Sequence, residues 1–284
     1  MKQEQLGEHL LEARRKGRAV PAFNYSDTWD LMAIAMASEK SGIPVMAASI
    51  PRVAETFGVE LCRAMVSSLG RKFNAQIYSH LDHCTDAGLC KRAVDAGYNS
   101  VMFDGSALPL AENIRLTSEV VAYAHAKGVI VEAEVGRIKG GGVEGDLNVK
   151  AFLAELDDAI AMVAQTKIDV LAPGIGTAHG FYTEKPRIYF DRLQEIADST
   201  GLPLALHGGT GIPDADIRRA ISLGIAKVNV GTLIHCTYMN KLHAELAKAG
   251  GNPYTLDVMK RVQPEIIKVL LDRIRAISGV GATF

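Results

Sequence analysis

The chain has 284 residues, 48% hydrophobic and 22% charged, a balance that suits a globular fold and excludes a disordered one. Thirty-one basic against 32 acidic side chains give a formal charge of −1, so no overall field favours nucleic acid or a membrane, and a small-molecule partner is expected. Leu6, Leu10 and Leu11 recur at helical spacing but charges interrupt them, unlike a signal peptide, and no later stretch reaches the roughly 18 apolar residues of a membrane span. The expectation is a cytoplasmic protein with Cys62, Cys84, Cys90 and Cys236 reduced, since no CxxC pair or framework spacing is present.

Short apolar, β-branched runs followed by turn residues mark eight strands in chain order. They are VPAFNY (20–25), PVMAAS (44–49), AQIYSHLD (75–82), SVMFDG (100–105), VIVEAEVG (129–136), DVLAPGIG (169–176), PLALHGG (203–209) and AKVNVGT (226–232). Segments with a 3.6-residue period lie between them, such as TWDLMAIAMASEKSG after the first and PDADIRRAISLG after the seventh. Small-residue endings such as SG, STG and LG precede the strands as helix C-caps. Eight such units predict a single-domain α/β protein over 1–284, a (β/α)8 TIM barrel with extra N- and C-terminal helices. In six of the eight runs the polar or glycine-rich group falls at the C-terminal end, which favours one closed mouth over the single crevice of an open sheet. The stretch 255–278 reads as one or two further helices that close the barrel bottom, join an oligomer interface or reach a neighbouring site.

Three histidines stand where those strands end: His83 in HLDH, His179 in GTAHG and His207 in LHGGTG. They converge only if their strands are parallel neighbours, and three imidazoles with an open position are a common way to hold catalytic zinc. His80 and Asp82 are two apart and share a strand face, so His80 reads equally well as a site residue or as a hydrogen-bonded core histidine. Asp82 is placed either to bind the metal or to move a proton at a substrate hydroxyl. Asp104 and Glu134, at the ends of strands 4 and 5, can orient the imidazoles or hold another cation. Cys84 reads as packing.

HGGTG (207–211) leads through Pro213 and Asp214 into a helix, as an anion cradle does, and NVGT (229–232) supplies the matching loop after strand 8. The site thus takes in Gly208, Gly209, Thr210, Asn229, Val230, Gly231 and Thr232. Beyond Glu134 the run VGRIKGGGVEGD reads as a mobile flap with Glu144 at its tip, suited to a proton donor that enters with substrate.

From VPAFN through HLDH, SVMFDGS, VEAEVG, GTAHGFY and LHGGTGIP to KVNVGT, the chain resembles the class II, metal-dependent ketose-bisphosphate aldolases of the fructose/tagatose group. The resemblance implies zinc on His83, His179 and His207, proton transfer by Asp82, and an alternative metal position at Asp104 and Glu134. It further implies a dihydroxyacetone-phosphate group held by Gly180, Gly208, Gly209, Thr210, Asn229 and Thr232. The implied reaction is reversible cleavage of a tagatose- or fructose-type 1,6-bisphosphate, or of a variant ketose 1-phosphate with a different aldehyde end. A monovalent cation, Na+ or K+, and a homodimer or homotetramer complete the expectation. The chain departs from the family pattern in several places. Glu144 lies ten residues after Glu134 where eight is usual, Thr210 replaces serine, and Gly231 stands where aspartate is frequent. Arg52 occupies a place for smaller residues, and the tail around Lys260 and Arg261 is atypical. A guanidinium is a planar fork for phosphate, sulfonate or carboxylate, so Arg52 is a candidate anchor for the far end of the substrate. Two rival readings are a class I aldolase with Lys227 as its Schiff-base amine and a non-catalytic sugar-phosphate-binding barrel.

Overall fold

The computed structural model describes residues 4–138, 152–182 and 186–279. The eight strands are β1 (Val20–Asn24), β2 (Val45–Ser49), β3 (Ile77–Cys84), β4 (Ser100–Phe103), β5 (Ile130–Val135), β6 (Val170–Pro173), β7 (Leu204–Leu206) and β8 (Ile225–Val230). Each pairs in parallel with its sequence neighbour, and β1 pairs with β8, closing the barrel. The helices are α1 (Glu4–Arg15), α2 (Thr28–Ser41), α3 (Pro51–Phe57), α4 (Val59–Lys72), α5 (Ala87–Asp95), α6 (Leu110–His125), α7 (Leu156–Thr166), α8 (Phe190–Thr200), α9 (Asp214–Ser222), α10 (Thr232–Ala249) and α11 (Thr255–Ser278). No helix among the described residues is long and apolar enough to cross a membrane.

The apolar runs are continuous because both strand faces are buried. Phe23, Ala47, Leu81, Val101 and Leu171 point outward into the layer shared with the helices. Ala22, Met46, Tyr78, Met102, Ala172 and Ala205 fill the barrel interior, where Leu6 and Leu10 of α1 join them. The bottom of the barrel is therefore closed by the N-terminal helix, and the C-terminal stretch has a different place: α11 lies against α2, α9 and α10. The spacing of Leu6 and Leu10 defines an inward face, whereas Leu11 is 50% exposed. The predicted C-caps hold at Gly42 and Gly201, which end α2 and α8 in the left-handed region at φ 66° and 67°. At the start of α2, Asp27 and Asp30 form a reciprocal capping box, and the Tyr238 hydroxyl of α10 donates to Asp27 Oδ2 at 2.8 Å. This fixes α10 against the first barrel unit, beside the loops that border the mouth.

Candidate active site

The end of β3 is irregular in a way that builds the site. Leu81 pairs with Val101 but Cys84 pairs with Phe103, so β3 spends one more residue than β4 over the same step, and His83 takes φ 50°. Strict alternation would turn His83 away from the face used by His80 and Asp82. The bulge lets Asp82 and His83 serve one centre instead. His179 arrives on the loop after β6, and His207 is the first residue beyond β7.

The three rings meet edge to face. Their centroids are 4.4 Å apart for His83 and His207, 4.7 Å for His83 and His179, and 6.4 Å for His179 and His207. One donor atom from each lies within 4.8 Å of the others, and His83 Nε2 is 2.7 Å from His207 Nδ1. Two nitrogens on tetrahedral zinc stand about 3.3 Å apart, so small ring rotations bring the cluster to a ligating arrangement. The outer nitrogens of His83 and His207 each have a carboxylate. His83 Nδ1 is 3.1 Å from Asp104 Oδ2 and 3.6 Å from Glu134 Oε2, while His207 Nε2 is 2.7 Å from Glu132 Oε1. Among the described residues His179 makes no side-chain hydrogen bond, which leaves its ring available.

Charge follows this arrangement. Burial disfavours a charged His83, but Asp82, Asp104 and Glu134 outweigh it and raise the imidazole to about 9. Burial and the neighbouring His83 charge lower His179 and His207 to about 4, keeping them neutral with a free lone pair, the form a metal requires. Burial opposes ionisation of Asp82, yet His83, His80, His207 and Lys227 hold it well below the usual carboxylate range. Burial, with Asp104 beside it, pushes Glu134 up to about 8. Glu134 Oε2 is buried without a hydrogen-bond partner, and His83, Asp104 and Glu134 form a second group of donors within 4.8 Å. An orphaned carboxylate oxygen beside a cluster of nitrogen and oxygen donors fits a cation-binding centre.

Asp82 is 2% exposed and held from both sides. Asn24 Nδ2 donates to its Oδ2 at 2.8 Å and Asn229 Nδ2 to its Oδ1 at 3.0 Å, with His80 Nε2 at 3.5 Å from Oδ1. These contacts anchor the carboxylate beside the histidines without making it part of their donor cluster. His80 is wholly buried and its Nδ1 meets Ser100 Oγ at 3.0 Å, so it supports Asp82 from within the core. Cys84 is also wholly buried and packs in the core.

Above this floor opens a cavity of about 700 Å³. Asp82, His83 and His179 form its base, Gly180, Gly208, Gly209, Thr210, Asn229, Gly231 and Thr232 one wall, and Arg52 with Val53 and Phe57 another. A Cβ at Gly208 would overlap the carbonyl oxygen of Ala178, so the loops after β6 and β7 touch backbone to backbone. The Tyr182 hydroxyl locks that contact, donating to Gly208 O at 3.0 Å and accepting from Ala178 N at 2.9 Å. Thr210 Oγ1 accepts from Leu233 N at 3.2 Å and ties the cradle to the first turn of α10.

The family described as class-II fructose-bisphosphate aldolase matches residues 4–282. The chain belongs to this family. It is thus an enzyme of the carbon–carbon lyase class. Two relatives are 6-phospho-5-dehydro-2-deoxy-D-gluconate aldolases. That of Halalkalibacterium halodurans is 42% identical over 228 residues, covering 79% of this chain and 78% of the relative. That of Shouchella clausii is 40% identical over 228 residues, covering 78% and 76%. Among solved structures, the YdjI aldolase from Escherichia coli K12 superimposes with a TM-score of 0.83 at 29% identity over 97% of both chains. Fructose-bisphosphate aldolase from Campylobacter jejuni shares the fold at a TM-score of 0.83, with 20% identity over 98% of this chain and 95% of that one.

Within this class II aldolase the remaining sequence candidates fall as follows. Glu144 lies outside the described residues. Val230 is wholly buried in the layer between barrel and helices, so its segment borders the cavity through Asn229, Gly231 and Thr232. Lys260 and Arg261 are on α11, away from the mouth: Arg261 pairs with Glu245 at 3.1 Å, and Lys260 is 3.9 Å from Asp257. Lys227 is wholly buried, with its Nζ 2.9 and 3.0 Å from the two oxygens of Glu132, which removes it from the reach of a Schiff-base chemistry at the mouth. Sequence reasoning missed Glu132, Asn24, Tyr182 and His235, the last of which also borders the cavity. For Glu132 a signal existed. It precedes Glu134 by two, so both carboxylates must face the barrel interior.

Proposed function

We propose that the chain catalyses zinc-dependent, reversible aldol cleavage of a phosphorylated ketose whose aldehyde half ends in a carboxylate, with 6-phospho-5-dehydro-2-deoxy-D-gluconate as the substrate. The observation that carries this reading is Arg52. Among the described residues that line the cavity it is the one lysine or arginine, it is exposed, and no carboxylate among the described residues pairs with it. The names of two relatives at 42% and 40% identity support the carboxylate end. Fructose or tagatose 1,6-bisphosphate would instead bring a second phosphate to the same guanidinium.

In the proposed substrate the ketone is C5, the hydroxyl that loses its proton is on C3, and the C3–C4 bond breaks. The products are dihydroxyacetone phosphate and 3-oxopropanoate. The phosphate sits against Gly180, Gly208, Gly209, Thr210 and Thr232, with Asn229 beside Asp82. When bound by His83, His179 and His207, zinc supplies Lewis-acid stabilisation of negative charge developing on the ketone side. Asp82, anionic and anchored by Asn24 and Asn229, accepts the C3 hydroxyl proton. Glu144 on the glycine-rich segment returns a proton to C4. Asp104 and Glu134 hold His83 and offer the position for a second cation, sodium or potassium.

Protein prepared without chelator is expected to carry about one zinc per chain by elemental analysis. Removal of all divalent metal should abolish turnover, and activity that survives complete removal would reject a metal-dependent reaction. The Arg52→Ala variant tests the substrate assignment. KM for the carboxylate-ended substrate should rise about 10- to 100-fold, the value of one charge-assisted paired hydrogen bond. Fructose 1-phosphate, which lacks the far anion, should change little. An equal loss with both substrates would remove Arg52 as the selector.

A further inference from the structure

We propose that Glu132 and Lys227 are positioning residues that determine which nitrogen of His207 faces the metal. The proposal rests on the reading of His83, His179 and His207 as the metal site. Lys227 on β8 reaches across the barrel to β5, where its Nζ lies 2.9 Å from Glu132 Oε2 and 3.0 Å from Oε1. An ammonium only donates, so Oε1 of Glu132 accepts from Lys227, and Oε2, which has no hydrogen-bond partner, stands against the same charge as the other half of an ionised carboxylate. His207 Nε2 lies 2.7 Å from Oε1 of the same carboxylate and must therefore carry the hydrogen. A neutral imidazole protonated on Nε2 keeps its lone pair on Nδ1, the nitrogen that is 2.7 Å from His83 Nε2. The side chains of His207, Glu132 and Lys227 are at most 1% exposed, so bulk solvent does not compete for these hydrogen bonds.

The pair has a cost that packing alone does not explain. A fully buried lysine and glutamate can often be replaced by apolar residues of similar volume without loss of stability. Here the carboxylate is shared with a candidate metal ligand, and losing such an outer partner typically weakens metal binding 10- to 100-fold. Met102 pairs in register with Glu132, lies in the same interior and is apolar, which shows that the barrel can be filled without charge at that level.

The experiment compares two double variants in which no buried charge is left alone. Glu132→Leu with Lys227→Met removes the acceptor, whereas Glu132→Gln with Lys227→Met stays neutral but can still accept from His207. Cobalt affinity, measured by competition with a chelator and by the visible spectrum of the bound ion, should fall 10- to 100-fold in the Leu/Met protein. The Gln/Met protein should remain within about threefold of the parent, since a neutral acceptor suffices to hold the ring. Parent-like affinity in the Leu/Met protein would overturn the proposal, as would equal losses in both variants, which would make charge and not orientation the cause. Nitrogen-15 correlation spectra of the metal-free parent give a test without substitution at the pair: His207 should show hydrogen on Nε2, and hydrogen on Nδ1 alone would reject the assignment. His207→Ala is the control for the underlying site. If it binds cobalt as the parent does, the metal-site reading fails; if it loses cobalt while the Leu/Met protein does not, only the positioning role fails.

Discussion

Replacing Asp82 by asparagine is expected to lower kcat by about 10²- to 10⁴-fold, the usual worth of a positioned proton acceptor, while zinc content and folding persist. The expectation follows from how the carboxylate is held. Asn24 and Asn229 each donate to a different oxygen, and the histidine nitrogens that form the donor cluster do not include Asp82. An asparagine keeps the shape and one acceptor, at the cost of one donor-to-donor contact with a neighbouring amide. It cannot take a proton. KM should move far less than kcat, because the residues proposed to hold the phosphate and the far anion line other walls of the cavity. The decisive measurements are steady-state kinetics with metal analysis on the same preparation. Loss of zinc would place Asp82 among the ligands, and unchanged turnover would remove it from the reaction.

All eight strands were legible because parallel barrel strands are buried on both faces and end in polar loops, so an apolar run followed by His, Gly or Asp carries both the element and its direction. The histidines were legible for the same reason, each standing at such an end. The bulge that turns His83 into the site was not. It depends on β3 and β4 falling out of step between Leu81 and Cys84, and pairing register leaves no trace in the periodicity of one strand. The contact between Lys227 and Glu132 was hidden in a similar way, because it crosses the barrel between strands that are not neighbours. The plug at the bottom shows the same division: the spacing of Leu6 and Leu10 predicts an apolar helix face, but what that face covers is a tertiary fact.

Gly208→Ala is expected to damage both the proposed phosphate cradle and the proposed metal site through one added methyl group. Gly208 has φ 69°, where an alanine pays roughly 1–2 kcal/mol in backbone strain. Strain is the smaller effect. The new Cβ would overlap the carbonyl oxygen of Ala178, and that backbone cannot yield without carrying His179, the next residue, away from His83. It would also break the Tyr182 hydroxyl bridge between Ala178 and Gly208. A shift of about 1 Å at a positioned group commonly costs about 10²-fold in rate, so kcat/KM should fall at least that far. Zinc affinity and affinity for inorganic phosphate should weaken together, since both walls share the displaced loop. Urea unfolding separates this from global collapse: the midpoint should drop only by the amount the strain and the lost bridge imply, leaving a folded enzyme at zero denaturant. A variant that keeps parental zinc affinity and kcat/KM would mean that the two loops tolerate a side chain between them and that their close approach does not position His179.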